Sequence, residues 1–196
     1  MFNIELQVKV DEFEARRRTI QQSLFPVELE VAKALYSFCQ VACRNWNAAK
    51  WRSDKCWTKS VKEELCSLGK KKGYLVFPKK TANGFSEQWL LDLVWAVAEP
   101  DSAEKLDWRK TRRLVLACES EWNSYLDNIL YDFYKLTFVL ADLRLFIYRN
   151  RPTWLTKEDP AELCKAASPL SNGFRYLLMG FPADSEGKFR IDAWTA

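Results

Sequence analysis

The sequence predicts a single α/β domain with a mixed central sheet, flanked by helices and preceded by an N-terminal helical extension. Three observations support this fold class. The chain has 196 residues, the size of one ordinary domain. Hydrophobic residues make up 48% and charged residues 29%, as in folded globular proteins. Segments with helical spacing alternate with short apolar runs of strand length, an order typical of α/β domains.

The first two helices follow an N-terminal arm. Residues 1–27 are expected to form an irregular or partly extended arm ending at Pro26. Residues 28–50 predict a helix, because apolar residues recur at three- and four-residue spacing: Val31, Leu35, Phe38, Ala42 and Cys43. A second helix is expected at about 58–70, capped by Thr58 or Ser60 and ending at Gly69 or Gly73.

Three strands are expected next. Residues 73–78 predict a short strand between runs of lysine, and residues 89–98 and 112–118 are nearly continuous apolar runs. The two runs lack the polar alternation of a half-exposed strand. Both are therefore expected to be central strands that are covered on two faces.

The C-terminal half returns to helical spacing and then to strands. A helix is expected at 124–140, a strand at 142–148, a short helix at 158–167, and a final hairpin of strands 174–181 and 188–194. The chain thus predicts two helices, three strands, a helix, a strand and a C-terminal hairpin.

Composition excludes several classes of enzyme. The chain contains no histidine, which excludes a Ser-His-Asp triad, a Cys-His pair and any zinc site that needs imidazole. Lys and Arg number 30 against 26 Asp and Glu, a net charge of +4. This charge is only mildly basic, so a polyanionic partner would have to meet a local basic patch.

Three carboxylates occupy unusual positions. Asp92 is the only charge between Trp89 and Ala98, and an isolated ionised carboxylate in a central strand is costly unless it is paired or binds a metal. Glu119 and Glu121 follow the next apolar run and, two residues apart, share one face of a strand. Such a group of like charges would be offset by a hard divalent cation, for which Mg²⁺ is the common choice. The alternative is that Asp92 is an edge or cap residue and that both glutamates lie in solvent beyond the strand.

These residues resemble the restriction-endonuclease-like PD-(D/E)XK phosphodiesterase superfamily. Its core runs helix, three strands, helix, strand, with an Asp on the second strand and an acidic-x-Lys or acidic-x-Glu signature on the third. Here the Asp is Asp92 in LLDLVWA, and the signature is Glu119-Ser120-Glu121 in LACESEW. The resemblance covers residues 57–150. It implies that 57–196 form the nuclease-like core with its hairpin, and that 1–56 pack on that core within one compact domain.

The resemblance also implies a mechanism. Mg²⁺ or Mn²⁺ held by Asp92 and Glu119, with Glu121 completing the metal shell or orienting water, would promote phosphodiester hydrolysis of DNA or RNA. The usual lysine of the signature is replaced here by Glu121. Lys135, on the following helix, is the candidate for a moved lysine that stabilises the developing charge. Placing Phe133 at the centre of the apolar stripe puts Lys135 roughly 160° away, so a solvated surface lysine is the alternative, with Lys110 and Arg112 as fallback cations.

A nucleic-acid partner needs basic contacts. The runs Lys70–Lys72, Lys79–Lys80 and Arg109–Arg113 flank the first three predicted strands and are candidates for a phosphate-contacting rim, or else are solvated loops. Trp46, Trp51 and Trp57 flank a basic stretch, where they could stack bases, but the closing of a small core is the favoured interpretation.

Two further functions stay open. The chain could be a catalytically decayed nuclease-like module that binds nucleic acid or protein, or a small interaction protein that uses exposed tryptophans. A protein partner or a homodimer is an open alternative. The six cysteines contain no C-x-x-C pair. An all-cysteine zinc site from Cys39, Cys43, Cys56 and Cys66 is the alternative to buried free thiols in a reducing compartment.

With no apolar run near 18 residues, we expect no membrane segment and a cytoplasmic protein.

Overall fold

The fold is a seven-stranded mixed sheet with three helices in the part of the chain that the structure describes. The computed structural model describes residues 4–8, 24–45, 53–78, 91–99, 111–123, 125–150, 164, 173–182 and 189–195. The elements are β1 (Ile4–Val8), α1 (Pro26–Arg44), α2 (Asp54–Lys71), β2 (Leu75–Pro78), β3 (Leu93–Ala98), β4 (Thr111–Glu121), α3 (Leu126–Thr137), β5 (Ala141–Asn150), β6 (Arg175–Pro182) and β7 (Phe189–Thr195). An α/β domain with a mixed sheet is therefore confirmed.

The strand order is β1-β7-β6-β5-β4-β3-β2. Strands β2, β3 and β4 are antiparallel neighbours, whereas β4, β5 and β6 run parallel. Helix α3 connects β4 to its parallel neighbour β5, as a crossover connection requires. Strand β7 pairs antiparallel with β6, and β1 pairs antiparallel with β7.

Two hydrophobic layers cover the sheet. Helices α1 and α2 bury their apolar faces against one face, where their core positions include Val31, Leu35, Trp57 and Leu65. Helix α3 covers the other face with Ile129, Phe133 and Leu136, which follow one another at four- and three-residue spacing. Strands β3, β4, β5 and β6 are thus buried on two faces near their middle, as the apolar runs at 89–98 and 112–118 predict for β3 and β4.

A buried ion pair fastens α1 to the sheet. Glu28 in the first turn of α1 contacts Arg175 of β6, with Oε2 lying 3.1 Å from Nη2, and the same carboxylate accepts the backbone N–H of Phe25 at 2.9 Å. Because both charged groups are buried and paired, α1 belongs to the same packed unit as the sheet.

Several predicted boundaries move. Part of the expected N-terminal arm is β1, and α1 begins at Pro26, which suits the first turn of a helix because it needs no N–H there. Helix α2 begins four residues before the predicted start, because Ser53 rather than Thr58 or Ser60 caps it, accepting the N–H of Cys56 at 3.2 Å. The boundary expected at residue 56 therefore falls inside α2.

The ends of the other elements agree within four residues, except that α1 ends at Arg44 rather than at residue 50. The strands expected at 73–78, 142–148, 174–181 and 188–194 correspond to β2, β5, β6 and β7. Of the short helix expected at 158–167, only Cys164, a helical residue, is described. No helix within the described ranges is long and apolar enough to span a membrane.

The packing of α2 on the sheet depends on the absence of a side chain at Gly69. A Cβ at this position would lie 2.6 Å from Nε1 of Trp95 and 2.8 Å from Cγ2 of Val76, both of which are buried. Alanine would gain about 1 kcal/mol of helix propensity over glycine. Overpacking of a close-packed core costs about 1–3 kcal/mol, and with contacts this short we expect the upper end of that range.

We therefore expect Gly69→Ala to lower the free energy of unfolding by about 1–2 kcal/mol, measured by urea denaturation followed by circular dichroism. Ser67→Ala, at an exposed position on the same helix, is the matched control and is expected to change stability by no more than about 0.5 kcal/mol. A Gly69→Ala protein more stable than the wild type would mean that α2 does not press on Trp95.

Candidate functional site

The predicted acidic residues come together where β3 begins and β4 ends. Asp92 immediately precedes β3, and since Leu93 pairs with Cys118, Asp92 stands opposite Glu119. Strand β4 continues through Glu121. Glu119 is only 2% exposed. Asp92 is thus an edge residue at the start of β3, as the alternative interpretation predicted. Because Glu119 is buried, the alternative that Glu119 lies in solvent is wrong.

Asp92 is bound from the side of α2. Its Oδ1 lies 2.8 Å from Nζ of Lys62, a largely buried lysine of α2. Its Oδ2 accepts hydrogen bonds from the backbone N–H of Ser120 at 3.0 Å and from the Ser120 hydroxyl at 2.7 Å. The sequence analysis missed Lys62. The available signal is its position directly after Val61 and three residues before Leu65, two buried residues of the same helix.

Glu119 is bound from the side of α3. Its Oε2 lies 3.3 Å from Nζ of Lys135, while its Oε1 is buried and has no hydrogen-bond partner. Burial, and secondly the charge of Asp92, raise the pKa of Glu119 to about 8 despite the opposing effect of Lys135. The two carboxylates therefore lie close enough to repel each other, although the groups that bind them come from opposite faces of the sheet.

Lys135 is not a solvated surface residue. Its side chain is 14% exposed and its ammonium contacts both Glu119 and Asp132. The long side chain turns from the outer part of the helix toward the end of β4, which the angular position on α3 alone did not predict. Burial alone would lower the pKa of Lys135, but the Asp132 hydrogen bond and the Glu119 charge raise it above its ordinary value.

Glu121 has other partners. One oxygen accepts the backbone N–H of Asn123. Burial raises the pKa of Glu121, and a side-chain hydrogen bond to Asp132 raises it further, although the hydrogen bond from Asn123 acts the other way. Asp132, which the sequence analysis noted on the helix without a role, thus links Glu121 to Lys135.

These contacts define an acidic cluster of four carboxylates and two lysines: Asp92, Glu119, Glu121, Asp132, Lys62 and Lys135. When all six groups are ionised, negative charges exceed positive charges by two. No set of three or more acidic, Cys or His side chains among the described residues is arranged to hold a metal ion. The predicted ligand Glu121 is turned toward Asn123 and Asp132. Of the other two predicted ligands, Asp92 is bound from the side of α2 and Glu119 from the side of α3.

The parts of the basic runs that lie within the described ranges do not border the acidic cluster. Ala96, near the end of β3, pairs with Leu75 at the start of β2 and with Leu114 near the start of β4. Lys70–Lys72 and Arg112–Arg113 therefore lie at the end of these strands that is opposite to the acidic cluster. Arg113 and Glu119 are six residues apart on β4, about 20 Å at strand spacing. Lys79, Lys80, Arg109 and Lys110 lie outside the described residues.

The tryptophans and cysteines of the described ranges are mainly structural. Trp57 is buried between Trp122 and Phe181, so its predicted role in closing a core is confirmed, and Trp95 is buried in β3. Trp46, Trp51 and Trp89 lie outside the described residues. All six cysteines are free thiols. A four-cysteine zinc site is not assembled among them, although Sγ of Cys39 and Sγ of Cys43 lie 3.9 Å apart in α1.

The raised pKa of Glu119 predicts a pH dependence of stability. The pKa is about 8 in the folded protein against an ordinary value of 4.5, so folding favours the protonated carboxyl. Its stabilising contribution is complete below about pH 4.5 and is lost as the pH rises through 8. One pKa unit corresponds to about 1.4 kcal/mol, so we expect a change of at least that size.

Glu119→Gln should therefore match the wild type near pH 4.5 and unfold at a higher temperature at pH 9, in EDTA. Thermal denaturation across this range measures the difference, and Glu63→Gln, on the exposed face of α2, serves as the control. Parallel curves for Glu119→Gln and the wild type would show that the Glu119 carboxyl is already ionised at neutral pH.

The arrangement can bind a hard cation beside a buried lysine, or it can hold itself together by ion pairs alone. A carboxylate with an unused buried oxygen suits the first, and the Lys62–Asp92 pair suits the second. Comparisons of this chain with protein-family models, with curated proteins and with solved structures each find no match.

Proposed function

We propose that the protein is a metal-dependent phosphodiesterase that hydrolyses DNA or RNA. The observation that carries the proposal is the buried Glu119 carboxylate, which stands opposite Asp92, keeps one oxygen without a partner and is bound by the ammonium of Lys135. With all four carboxylates ionised, the cluster would hold two more negative than positive charges, which is costly unless a proton or a cation offsets it. A divalent cation would supply that charge.

The element order supports the same proposal. Helix α2, strands β2, β3 and β4, helix α3 and strand β5 follow the helix, three strands, helix, strand order of the PD-(D/E)XK core that the sequence resembles. The acidic residues lie at the start of the second of these strands and at the end of the third, and the candidate lysine is on the helix that follows.

The donor set fits Mg²⁺ or Mn²⁺. Carboxylate oxygens are the ligands these ions prefer, and Oε1 of Glu119 is a buried oxygen that no other group uses. Asp92 and Glu119 would hold the ion, which when bound would polarise the phosphate and acidify a water molecule. Glu121 is better placed to position the surrounding groups through Asn123 and Asp132 than to bind the ion.

The lysines have separate tasks. Lys135 carries a positive charge against the buried Glu119 and would stabilise the negative charge that develops on the phosphate oxygens. Asp132 contacts the same ammonium, and its hydrogen bond raises the lysine's pKa, so it keeps that charge protonated and in place. Lys62 and the Ser120 hydroxyl orient Asp92 at the strand start.

The test combines metal binding with cleavage. We expect Mn²⁺ and Mg²⁺ to raise the melting temperature of the protein, because a ligand at a hundred times its Kd stabilises by about 2.7 kcal/mol. We also expect cleavage of labelled oligonucleotides in these ions but not in EDTA. A protein that binds neither ion and cleaves no DNA or RNA, single- or double-stranded, contradicts the proposal.

A second function is favoured by one contact. The Lys62 ammonium already neutralises Asp92, as it would in a nuclease-like fold whose metal site has been replaced by ion pairs. Such a module would bind nucleic acid or a protein without catalysis. It predicts nucleic-acid affinity that is the same in EDTA and in Mg²⁺, and a melting temperature that Mn²⁺ does not raise.

A further inference from the structure

Exposed large hydrophobic side chains are concentrated on α3 and at its two ends. Seven such side chains occur among the described residues, and only Phe25 and Val41 lie elsewhere. The other five are Tyr125, Tyr131, Tyr134, Phe138 and Leu140. Four of these five are aromatic, so this surface offers ring faces more than aliphatic contacts.

Three of the rings form one line, which we call the aromatic stripe: Tyr131, Tyr134 and Phe138. Spacings of three and four residues place them on the same side of the helix axis. Ile129 and Phe133, which face the sheet, are buried on the opposite side. The packing of α3 therefore does not need the stripe, since the helix already has a complete buried face.

The stripe adjoins the acidic cluster through one residue. Nζ of Lys135 lies 5.4 Å from the centre of the Tyr131 ring and also contacts Glu119. Tyr131 is 69% exposed. A planar group stacked on this ring would thus lie beside the lysine that binds the buried carboxylate.

We propose that the acidic cluster acts on single-stranded nucleic acid and that Tyr131 stacks on a base next to the phosphate at the cluster. This inference rests on the proposed function. Aromatic side chains bind single strands by stacking on bases whose faces are free, and the faces of bases in a duplex are already covered by their neighbours. Continuity of the stripe with Lys135 and Glu119 favours this occupant over a protein partner or a second copy of the chain.

The test measures binding separately from cleavage. Labelled 15-nucleotide single strands of DNA and RNA, and the matching duplexes, are titrated with protein in Ca²⁺, and affinity is read by fluorescence anisotropy. We expect Tyr131→Ala to weaken single-strand binding at least fivefold and to leave duplex binding unchanged. Tyr131→Phe, which keeps the ring, and Tyr125→Ala, an equally exposed tyrosine outside the stripe, should stay within twofold of the wild type.

The other binding outcomes overturn the inference. Equal single-strand affinity for Tyr131→Ala and the wild type shows that Tyr131 does not stack, and an equal loss for single strands and duplexes shows that it does not select strandedness. Wild-type protein that binds no nucleic acid shows that Tyr131 stacks on no base. Self-association through the stripe in sedimentation velocity, lost in Tyr131→Ala, assigns the surface to a second copy of the chain. Single-strand binding that needs Tyr131 without cleavage in Mg²⁺ or Mn²⁺ overturns the phosphodiesterase alone.

Discussion

Asp92→Asn should abolish metal-dependent cleavage, with a fall in rate of at least a thousandfold. Asparagine keeps the size of the side chain and an oxygen that can accept the Ser120 hydrogen bonds, but it removes the negative charge opposite Glu119. Since Asp92 and Glu119 would be the two carboxylates that hold the proposed cation, loss of one charge would remove much of its binding energy. Single-turnover cleavage in Mg²⁺, together with the shift in melting temperature caused by Mn²⁺, measures both effects.

The contact with Lys62 changes what is expected for stability. Considered from the sequence alone, removal of Asp92 should leave the protein as stable or more stable without metal, because like charges repel. In the structure the same change also leaves the largely buried Lys62 ammonium without its carboxylate partner. The two effects oppose each other, so we expect Asp92→Asn to fold with little net change in unfolding free energy in EDTA, within about 1 kcal/mol.

Asp142→Asn is the matched control. Asp142 is an exposed aspartate whose Oδ2 lies 3.2 Å from Nε of Arg113, at the far end of the sheet from the acidic cluster. An exposed pair contributes at most about 1 kcal/mol to stability and nothing to a distant site. Wild-type cleavage by Asp92→Asn would exclude Asp92 as a metal ligand, whereas a loss in Asp142→Asn as well would point to unfolding or to a missing substrate contact.

The spacing of apolar residues and the length of the apolar runs predicted most of the fold. Helices and strands of the core appear in the expected order because their apolar spacing is unambiguous, as for Ile129, Phe133 and Leu136 of α3. Strand β1 was not predicted as such, since five residues with mixed polar and apolar character become a strand only by pairing with β7. The start of α2 was misplaced because three possible capping residues lie within one short segment, and only Ser53 accepts a backbone N–H at the helix start.

Three of the four carboxylates of the candidate site were predicted from the sequence, and of its two lysines only Lys135 was, through the family resemblance. Asp92, Glu119 and Glu121 stand out because charge is rare beside long apolar runs. Lys62 does not stand out, because a lysine on a helix surface is ordinary. The contacts of Lys135 do not follow from its angular position on α3, because the length of a lysine side chain is absent from any angular projection. Asp132 acquires its role only through Glu121 and Lys135, which the fold brings to it from two elements.

Lys135→Met should lower the single-turnover cleavage rate by about a hundredfold or more and change nucleic-acid affinity much less. A charge that acts on the transition state affects rate rather than ground-state binding, and loss of one such electrostatic group costs about a hundredfold. Methionine keeps the apolar length of the side chain beside Tyr131 while removing the ammonium that contacts Glu119. Lys135→Arg, which restores a positive charge, should recover part of the rate.

The readouts for this variant separate catalysis from structure. Without the lysine, the Glu119 carboxylate loses a neighbour whose charge lowers its pKa, so that pKa rises further and cleavage should need a higher pH. If Lys135 has only a structural role, Lys135→Met should lower the melting temperature and leave the pH profile of cleavage unchanged. Lys59→Met, on the exposed face of α2 where Lys59 pairs with the exposed Glu63, should keep the wild-type rate and profile. If Lys135→Met cleaves as fast as Lys59→Met, the lysine serves the ion-pair network alone, and the charge on the phosphate must be met by another group.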